Sequence, residues 1–397
     1  MEARSAVIPA FTIEQPTRIA FGEGRLEQLA HDVKGLVGPR ARVLLVADQV
    51  LARAGLVDRA LEALARRPME VTVHADLAGE PRAAGVDEAA ALARRTGALL
   101  IVGLGDGSAL DLAKLAAALA PGDSPAEAYA LAARALPGDP LPVICIPTTA
   151  GTGAEVTRTA VFANRDGRKL WAWGDALRPR LALLDPKLST GLPSGITALT
   201  GLDALVHGIE ATTNRRGNAF TDAQALHGVR LVVEHLPVAA ERPDDLAARG
   251  GMLCAACLAG LAIDGAGTAV AHALGHALGS VAGMPHGRAV ALSLRAALAW
   301  NAEGSPRRHG AVAEAMGLMP EADDARLGPA LAARYDQLLR ALGVPLDVGW
   351  DGLGPSDAGR LRDVLFAPEN RPMLEANARQ VTRAVADRLI GDLLSAV

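Results

Sequence analysis

The chain has 397 residues, a net charge of −4 and 50% hydrophobic residues, of which few are aromatic. This length is enough for two domains with separate cores, and the charge excludes the basic face that nucleic acid requires. The first residues, M-E-A-R-S-A-V-I-P-A-F, lack the long apolar stretch of a signal peptide, and no uninterrupted apolar run approaches the ~20 residues of a membrane span. We therefore expect a cytoplasmic protein without a nucleic-acid or membrane partner.

The first half of the chain alternates short β-branched runs with longer helical patterns, as a parallel α/β domain does. The predicted strands are Arg18 to Phe21, Val43 to Ala47, Val71 to His74, Ala98 to Gly103, Val143 to Pro147 and Leu181 to Asp185. The predicted helices are Gly24 to Val33, Leu56 to Arg66, Ala84 to Arg95 and Ser108 to Ala120. We expect a Rossmann-like parallel sheet covered by helices.

Two glycine-rich turns follow predicted strands. The first runs from Gly103 to Lys114 as G-L-G-D-G-S-A-L-D-L-A-K, and its glycines would let backbone N–H groups and the positive end of a helix approach a pyrophosphate. The contact candidates are Gly103, Gly105, Gly107 and Ser108. Such glycines also occur in turns with a purely structural role. The second turn, I-P-T-T-A-G-T-G-A-E, would line the same crevice beyond the carboxyl ends of the strands.

Asp48 directly follows the predicted strand Val43 to Ala47. A carboxylate at this position can hydrogen-bond a ribose diol and would repel a 2′-phosphate, which favours NAD over NADP. The alternative is that Asp48 only caps the next helix.

Beyond Asp185, strand-like runs give way to long Ala/Leu-rich helical patterns. The clearest are Ser194 to Thr213, Ala219 to Val233, Leu246 to Ile263, Gly267 to Val281 and Arg288 to Asn301. We therefore expect a dinucleotide-binding α/β domain at residues 1–190 and an all-helical metal-binding domain at 191–397. Cys254 and Cys257 have the spacing of a redox pair, but their apolar, alanine-rich setting favours two core residues of a helix. Glu321 to Arg326 is predicted to be a solvated loop or face.

Four residues have the ligand types and spacing of one divalent-metal site. Asp203 and His207 stand four apart, which places both on one face of a helix, and His272 and His276 repeat that interval. His286 follows in a Pro-His-Gly turn. Asp203 with the imidazoles of His207, His272 and His286 would leave a divalent ion a net charge of about +1, suited to stabilising an alkoxide. Taken singly, each histidine would more often be a hydrogen-bonded core residue.

These motifs resemble those of the iron-containing (group III) alcohol dehydrogenase family over nearly the whole chain. In order along the chain they are F-G-E-G near Phe21, the glycine turn with Asp111 and Lys114, P-T-T-A-G-T-G-A-E-V from Pro147, L-D-P from Leu184, T-G-L-D-A-L-V-H-G-I-E-A from Thr200, H-A-L-G-H and P-H-G. The resemblance implies an N-terminal dinucleotide-binding domain, a helical metal domain, a site in the cleft between them, and a homodimer. The implied reaction is hydride transfer between NAD(H) and a small alcohol or aldehyde.

The resemblance also implies roles for individual residues. Asp203, His207, His272 and His286 would bind Fe²⁺, or Zn²⁺ in some members, while His276 would stay off the metal near the nicotinamide and relay protons. The cofactor contacts would be Gly105, Gly107 and Ser108 at the pyrophosphate, Asp111 as support of that loop, Thr148, Thr149 and Asp48 at the nucleotide, and Lys169 at the nicotinamide ribose.

Three residues depart from the family pattern. Asp106 turns the usual G-G-G-S into G-D-G-S, which brings a negative charge close to the pyrophosphate unless the side chain points to solvent or caps the helix. Ala154 replaces a common serine, and Asp264 replaces a common asparagine.

Other functions stay open at this point. Dehydroquinate synthase-like and glycerol dehydrogenase-like proteins share the architecture, but they generally use three ligands, so His286 argues against them. Maleylacetate reductases tend to lack the ligand set, and the intact histidines disfavour a non-catalytic nucleotide- or metal-binding protein of the same fold. Arg178, Arg180 and Arg215 are interpreted as surface residues rather than as ligands of an acidic substrate.

Overall fold

The structure is a computed structural model that describes residues 10–319 and 324–395. The N-terminal stretch 1–9 and residues 320–323 lie outside the described residues, and with them the interpretation of the first residues and most of the predicted loop Glu321 to Arg326. The end of that loop is described, and it is helical from Asp324 onward.

Eight strands are described, and six of them form one sheet. The strands are β1 (Arg18–Phe21), β2 (Arg42–Asp48), β3 (Glu70–Leu77), β4 (Leu100–Gly105), β5 (Val143–Pro147), β6 (Thr159–Ala163), β7 (Lys169–Trp173) and β8 (Leu181–Leu184). The sheet has the order β1-β8-β5-β4-β2-β3, and every pairing in it is parallel. Strands β6 and β7 pair separately as an antiparallel hairpin.

Helices cover the sheet in the first half, and the described residues of the second half contain helices and no strands. In the first half they are α1 (Leu29–Val37), α2 (Gln49–Arg53), α3 (Leu56–Ala65), α4 (Ala83–Thr96) and α5 (Gly107–Leu119). In the second half they are α6 (Ser194–Thr213), α7 (Ala219–Glu241), α8 (Leu246–Ala266), α9 (Val270–Ala282), α10 (His286–Gly304), α11 (Pro306–Ala315), α12 (Asp324–Ala341), α13 (Ala358–Leu365), α14 (Arg371–Ala376) and α15 (Arg383–Leu394). The predicted fold class, a parallel α/β half followed by an all-helical half, is confirmed.

The sequence of the central strand β4 indicated a buried parallel strand, but the predicted bounds of this strand were wrong. Every residue of L-I-V-G-L-G is buried, as expected for a parallel strand covered on both faces. The strand begins two residues later than predicted and extends to Gly105. Gly103 therefore lies inside the sheet, opposite Val46 and Cys145, and not in the turn where it was expected to contact a pyrophosphate.

The two glycine-rich turns meet at the carboxyl edge of the sheet. Gly105 at the end of β4 stands opposite Pro147 at the end of β5, and the Thr148 N–H donates to the Gly105 carbonyl at 2.9 Å. Lys114 on α5 is fully buried and joins α5 to the second turn. Its ammonium donates to the Asp111 carboxylate at 3.0 Å and to the Ala154 carbonyl at 3.0 Å. The predicted convergence of both turns on one crevice is confirmed.

Helix α6 is the central helix of the second half. Every residue from Gly201 to Thr213 is buried, so ligands placed on this helix are held rigidly inside the protein. Helix α8 is long and apolar enough to cross a membrane, but it is largely buried within the protein, as the core helix of a folded domain is. Cys254 and Cys257 lie on α8 as free thiols, where Cys257 is a buried core residue and Cys254 is half-buried.

Two further predictions about local structure were wrong, and one element was missed. The hairpin of β6 and β7 was not predicted. The segment predicted as a helix from Gly24 begins with a 3₁₀ turn, Arg25–Gln28, before α1. Arg178 is not a surface residue, because its side chain is 6% exposed and its guanidinium pairs with Asp264 at 3.1 Å.

Candidate metal and cofactor site

Helix α6 brings Asp203 and His207 to one face, one turn apart. Both side chains are buried, and His207 Nε2 lies 3.8 Å from Asp203 Oδ1. His272 on α9 completes a group whose ligand atoms lie within 4.8 Å of one another. Its Nε2 is 3.5 Å from the same Asp203 oxygen, and its ring stacks on that of His207 with 4.5 Å between centroids.

His286 reaches this group from the first residue of α10. Its Nε2 lies 3.7 Å from Asp203 Oδ1, and its ring centroid lies 5.7 Å from that of His272. The next residue makes this approach possible, since a β-carbon on Gly287 would overlap the Leu199 carbonyl of α6. A glycine is required there for α10 to begin against α6 and to place His286 beside Asp203.

The residues present fit a divalent cation. Ligand atoms about 2.1 Å from a tetrahedral ion lie about 3.4 Å from one another, close to the separations of the three imidazole nitrogens from Asp203 Oδ1. Asp203 Oδ1 and His272 Nε2 are buried atoms without a hydrogen-bond partner among the described residues. Buried polar atoms are rarely left unpaired, and a shared cation would satisfy both of them.

The electrostatics of the group also favour a cation. Burial by itself would raise the pKa of the Asp203 carboxyl, but the imidazoles of His207, His272 and His286 outweigh it and hold that pKa well below its usual range. Burial lowers the pKa of both His207 and His286, which favours the neutral form of the imidazole that binds a metal ion.

Glu210 orients the imidazole of His272 from the side opposite to Asp203. Its carboxylate accepts the N–H of His272 Nδ1 at 2.6 Å, which leaves Nε2 directed at Asp203. The same carboxylate accepts the backbone N–H groups of Ala269 at 2.7 Å and Ala271 at 2.6 Å, so it also caps the start of α9. Burial lowers the pKa of His272, but Glu210 and Asp203 together raise it to about 9. Two carboxylates therefore stabilise positive charge at this position.

His276 lies one turn beyond His272 and is held by Asn370. The Asn370 amide nitrogen donates to the Val364 carbonyl at 2.8 Å, so its oxygen faces His276 Nδ1 at 3.0 Å and accepts the hydrogen bond of the Nδ1–H group. Nε2 of His276 is then the acceptor. Burial lowers the pKa of His276 to about 3, with Lys169 contributing, so the ring is neutral.

A cavity of about 750 Å³ joins this group to the glycine-rich turns. Its walls include Ser108 and Thr149 from the sheet edge, Lys169 from β7, and His276 and His286 from the helices. Lys169 pairs with Glu80 at the wall. The cavity is large enough for an organic cofactor beside a small substrate, and it places the two predicted sites in one space.

The first glycine turn is capped by one of its own residues. Asp106 Oδ1 accepts the backbone N–H of Ser108 at 2.9 Å and of Ala109 at 3.2 Å, so its side chain caps α5. Gly107 and Ser108 line the cavity, while Gly105 is the last residue of β4. Asp111 accepts the Val161 N–H of the hairpin at 2.9 Å, so it supports the wall of the cavity.

The remaining nucleotide candidates lie near this edge in different environments. Asp48 caps α2, since Oδ1 accepts the Leu51 N–H at 2.7 Å, which is the alternative considered for it. A role at the ribose stays a prediction. Thr148 is buried beside Gly105, whereas Thr149 lines the cavity.

Sequence reasoning missed two residues that hold the site. Glu210 lies seven residues after Asp203 on the same helix, so its position in the motif could have indicated it. Asn370 lies 94 residues from His276 and has no local signal.

Comparison with known proteins gives a consistent picture. Residues 16–186 match the family model described as iron-containing alcohol dehydrogenase, and residues 197–386 match the model of the C-terminal part of that family. Long-chain-alcohol dehydrogenase 1 of Geobacillus thermodenitrificans is 32% identical over 91% of this chain and 93% of its own length. The 1-propanol dehydrogenase of Citrobacter freundii is 32% identical over 95% of this chain and 98% of its own. The crystal structure of sulfoacetaldehyde reductase from Bifidobacterium kashiwanohense in complex with NAD⁺ has a TM-score of 0.88 at 29% identity, covering 98% of this chain and 99% of the other.

Proposed function

Given that this chain belongs to the iron-containing alcohol dehydrogenase family, a family of oxidoreductases, we propose that it transfers a hydride between NAD(H) and a small alcohol or aldehyde at the metal site described above. The observation that carries the proposal is the convergence of Asp203, His207 and His272 on the cavity that also reaches the glycine turn. Two buried atoms of this group have no hydrogen-bond partner in the part of the chain that the structure describes. Asp203, His207, His272 and His286 would hold the ion, which we propose to be Fe²⁺, with Zn²⁺ as the second choice.

The ion would supply a Lewis acid that favours the alkoxide form of the substrate. The protein's own groups then have separate tasks. His276 presents a neutral ring with Nε2 as the acceptor, and it takes the proton that leaves the alcohol or returns it to the aldehyde. Asn370 keeps that ring in the required tautomer. A bound NAD(H) would supply or accept the hydride, so the residues of the cavity would have to align its nicotinamide with the substrate carbon.

Cofactor contacts, oligomeric state and location belong to the same proposal. Gly105, Gly107 and Ser108 would hold the pyrophosphate, Thr148 and Thr149 the nucleotide, Asp48 the adenosine ribose, and Lys169 the nicotinamide ribose, with Asp111 as support. The preference for NAD over NADP rests on Asp48. Residues 1–190 would act as the nucleotide domain and 191–397 as the metal domain. The exposed edge strand β1 supports a homodimer, because it leaves backbone groups available for pairing. We place the enzyme in the cytoplasm.

The test combines metal analysis with a substrate screen. Protein purified without oxygen is analysed for Fe and Zn, and NADH and NADPH oxidation at 340 nm is followed with a panel of aldehydes, with and without added Fe²⁺. We expect turnover with NADH that depends on the metal, and the Asp203→Ala variant to lose metal and activity together. Full activity in a metal-free Asp203→Ala protein would reject the site. NADH binding without turnover on any carbonyl would favour the non-catalytic alternative.

A further inference from the structure

The N-terminus of α5 is already occupied by a carboxylate of the protein. Asp106 Oδ1 accepts from the N–H groups of Ser108 and Ala109, which are the second and third residues of the helix after Gly107. These N–H groups, with the positive end of the helix, are the donors that a diphosphate would use in this turn. The side chain and the ligand therefore compete for the same donors.

We propose that Asp106 sets the affinity for the dinucleotide, because its carboxylate must leave the helix N-terminus or take up a proton before the diphosphate can bind. This inference rests on the proposed function only in that the ligand carries a nucleoside diphosphate group. It assigns to Asp106 a role in affinity and in pH dependence, and it assigns it no step in hydride transfer.

The surroundings of Asp106 make its negative charge costly when a diphosphate arrives. The charged groups that act on it are Asp48 at the end of β2 and Asp111 on α5 itself, and both are acidic. The turn from Thr148 to Gly153 packs against this edge and contributes no charged side chain. Burial, with Asp48 and Asp111 adding to it, raises the pKa of the Asp106 carboxyl, whereas the two backbone N–H groups lower it.

The carboxylate and an incoming diphosphate would meet at the same part of the cavity wall. A β-carbon on Gly107 would stand 2.6 Å from the Thr152 methyl carbon, so the turn is pressed against the second loop. Asp106, Gly107, Ser108 and Thr152 all line the same cavity. Protonation of Asp106 would remove the charge repulsion, and rotation of its side chain would free both N–H groups.

The sign of the pH dependence follows from this arrangement. A diphosphate near Asp106 disfavours the ionised carboxylate, so the pKa of Asp106 rises further in the complex. Binding then takes up protons, and the affinity for the dinucleotide increases as the pH falls toward that pKa.

Two variants separate the charge from the cap. Asp106→Asn keeps a side-chain oxygen that can accept from Ser108 and Ala109 but removes the charge. Asp106→Gly removes both and restores the usual G-G-G-S type of turn, and glycine at an N-cap costs helix stability only a few tenths of a kcal/mol. Thermal unfolding of each variant confirms that it is folded before any binding is measured.

The experiment measures binding of NADH and of ADP-ribose to the full-length, metal-loaded protein by calorimetry at several pH values, in two phosphate-free buffers with different enthalpies of protonation. The difference between the two buffers gives the number of protons taken up. We expect tighter binding of both ligands by Asp106→Gly, by about tenfold or more, as a charge repulsion at close range predicts. We expect proton uptake by the native protein and its loss in Asp106→Asn.

Adenosine, which lacks the diphosphate, is the ligand control and should bind all three proteins alike. Equal affinity of the native protein and Asp106→Gly for ADP-ribose would overturn the inference, and so would equal proton uptake by the native protein and Asp106→Asn. Because ADP-ribose carries no nicotinamide, these results do not depend on whether the proposed hydride transfer occurs. A protein that binds ADP-ribose as predicted but turns over no carbonyl would contradict the proposed function alone.

Discussion

Replacing Glu210 with glutamine tests whether the carboxylate behind His272 belongs to the metal site. The carboxylate is 3% exposed and accepts three N–H groups, from Ala269, Ala271 and His272, at 2.6 to 2.7 Å. Glutamine has the same shape but one acceptor oxygen, and its amide nitrogen would face a donor. The variant therefore loses the negative charge and leaves at least one of the three donors without an acceptor.

The expected effect on metal binding is a loss of about 10- to 100-fold in affinity, the usual consequence of removing a carboxylate that orients a histidine ligand. This corresponds to about 1.4–2.7 kcal/mol. The free energy of unfolding should also fall, because a hydrogen bond to a charged group contributes about 1.5–3 kcal/mol. The assay titrates metal-free protein with Zn²⁺, or with Fe²⁺ without oxygen, against a chromogenic chelator.

Asp185→Asn is the matched control. Asp185 is fully buried and also accepts three backbone N–H groups, from Gly24, Leu26 and Lys187, but it lies in the first half of the chain. We expect this control to lose stability and to keep its metal affinity. The reasoning is refuted if Glu210→Gln binds metal within about twofold of the native protein, or if the control loses as much affinity.

Three further predictions concern other buried groups. His276→Ala should lower kcat by about 10²- to 10⁴-fold while elemental analysis finds the metal content unchanged, since its role is proton transfer; loss of metal would place it among the ligands instead. Asp264→Ala should lower the free energy of unfolding by about 1.5–3 kcal/mol in urea, because Asp264 pairs with Arg178 and accepts the Arg158 backbone N–H at 2.8 Å, while Arg178 keeps Asp175 as a partner; a loss below about 0.5 kcal/mol would contradict this reasoning. Burial raises the pKa of Glu155 from 4.5 to about 7, so the folded state binds the proton more tightly than the unfolded state does. This proton binding contributes about 3 kcal/mol to the free energy of unfolding below pH 4.5, and the contribution is lost as the pH rises through about 7. The free energy of unfolding in urea should therefore vary less with pH in Glu155→Gln than in the native protein. The same pH dependence in both proteins would contradict the raised pKa.

The parts of the site that the sequence predicted are those fixed by local geometry. Helix α6 has the predicted bounds, Ser194–Thr213, and an interval of four on a helix places Asp203 and His207 together whatever the rest of the fold does. The end of β5 at Pro147 was also predicted, because a buried parallel strand is an uninterrupted apolar run. In both cases, residues that are close together in the sequence determine the structure that was predicted.

The hairpin of β6 and β7 was missed although its signal is present. The segments T-A-V-F-A and K-L-W-A-W are rich in strand-forming residues, and the connecting N-R-D-G-R contains a turn dipeptide. Each strand has only five residues and stands apart from the main sheet, so the alternation of βα units gave no reason to expect it. The hairpin matters for the site because it carries Lys169 on the cavity wall.

For Asp106 the sequence indicated that a residue departs from the family pattern, but it did not indicate where the side chain lies. The residue type indicated a conflict with a pyrophosphate, but three directions of the side chain were open. Only the backbone decides among them, because φ and ψ of −75° and −176° place Asp106 in the extended conformation of an N-cap, with Ser108 and Ala109 in reach.

The residues that the sequence did not reveal share one physical property. Glu210 and Asn370 are buried polar groups, and each holds a histidine of the site through a hydrogen bond. Residues that meet a ligand are restricted in type and spacing by its chemistry, so a motif can reveal them. Residues that orient them need only a donor or acceptor at the right point in space, and any segment of the chain can supply it. They are found by asking where each buried polar atom has its partner.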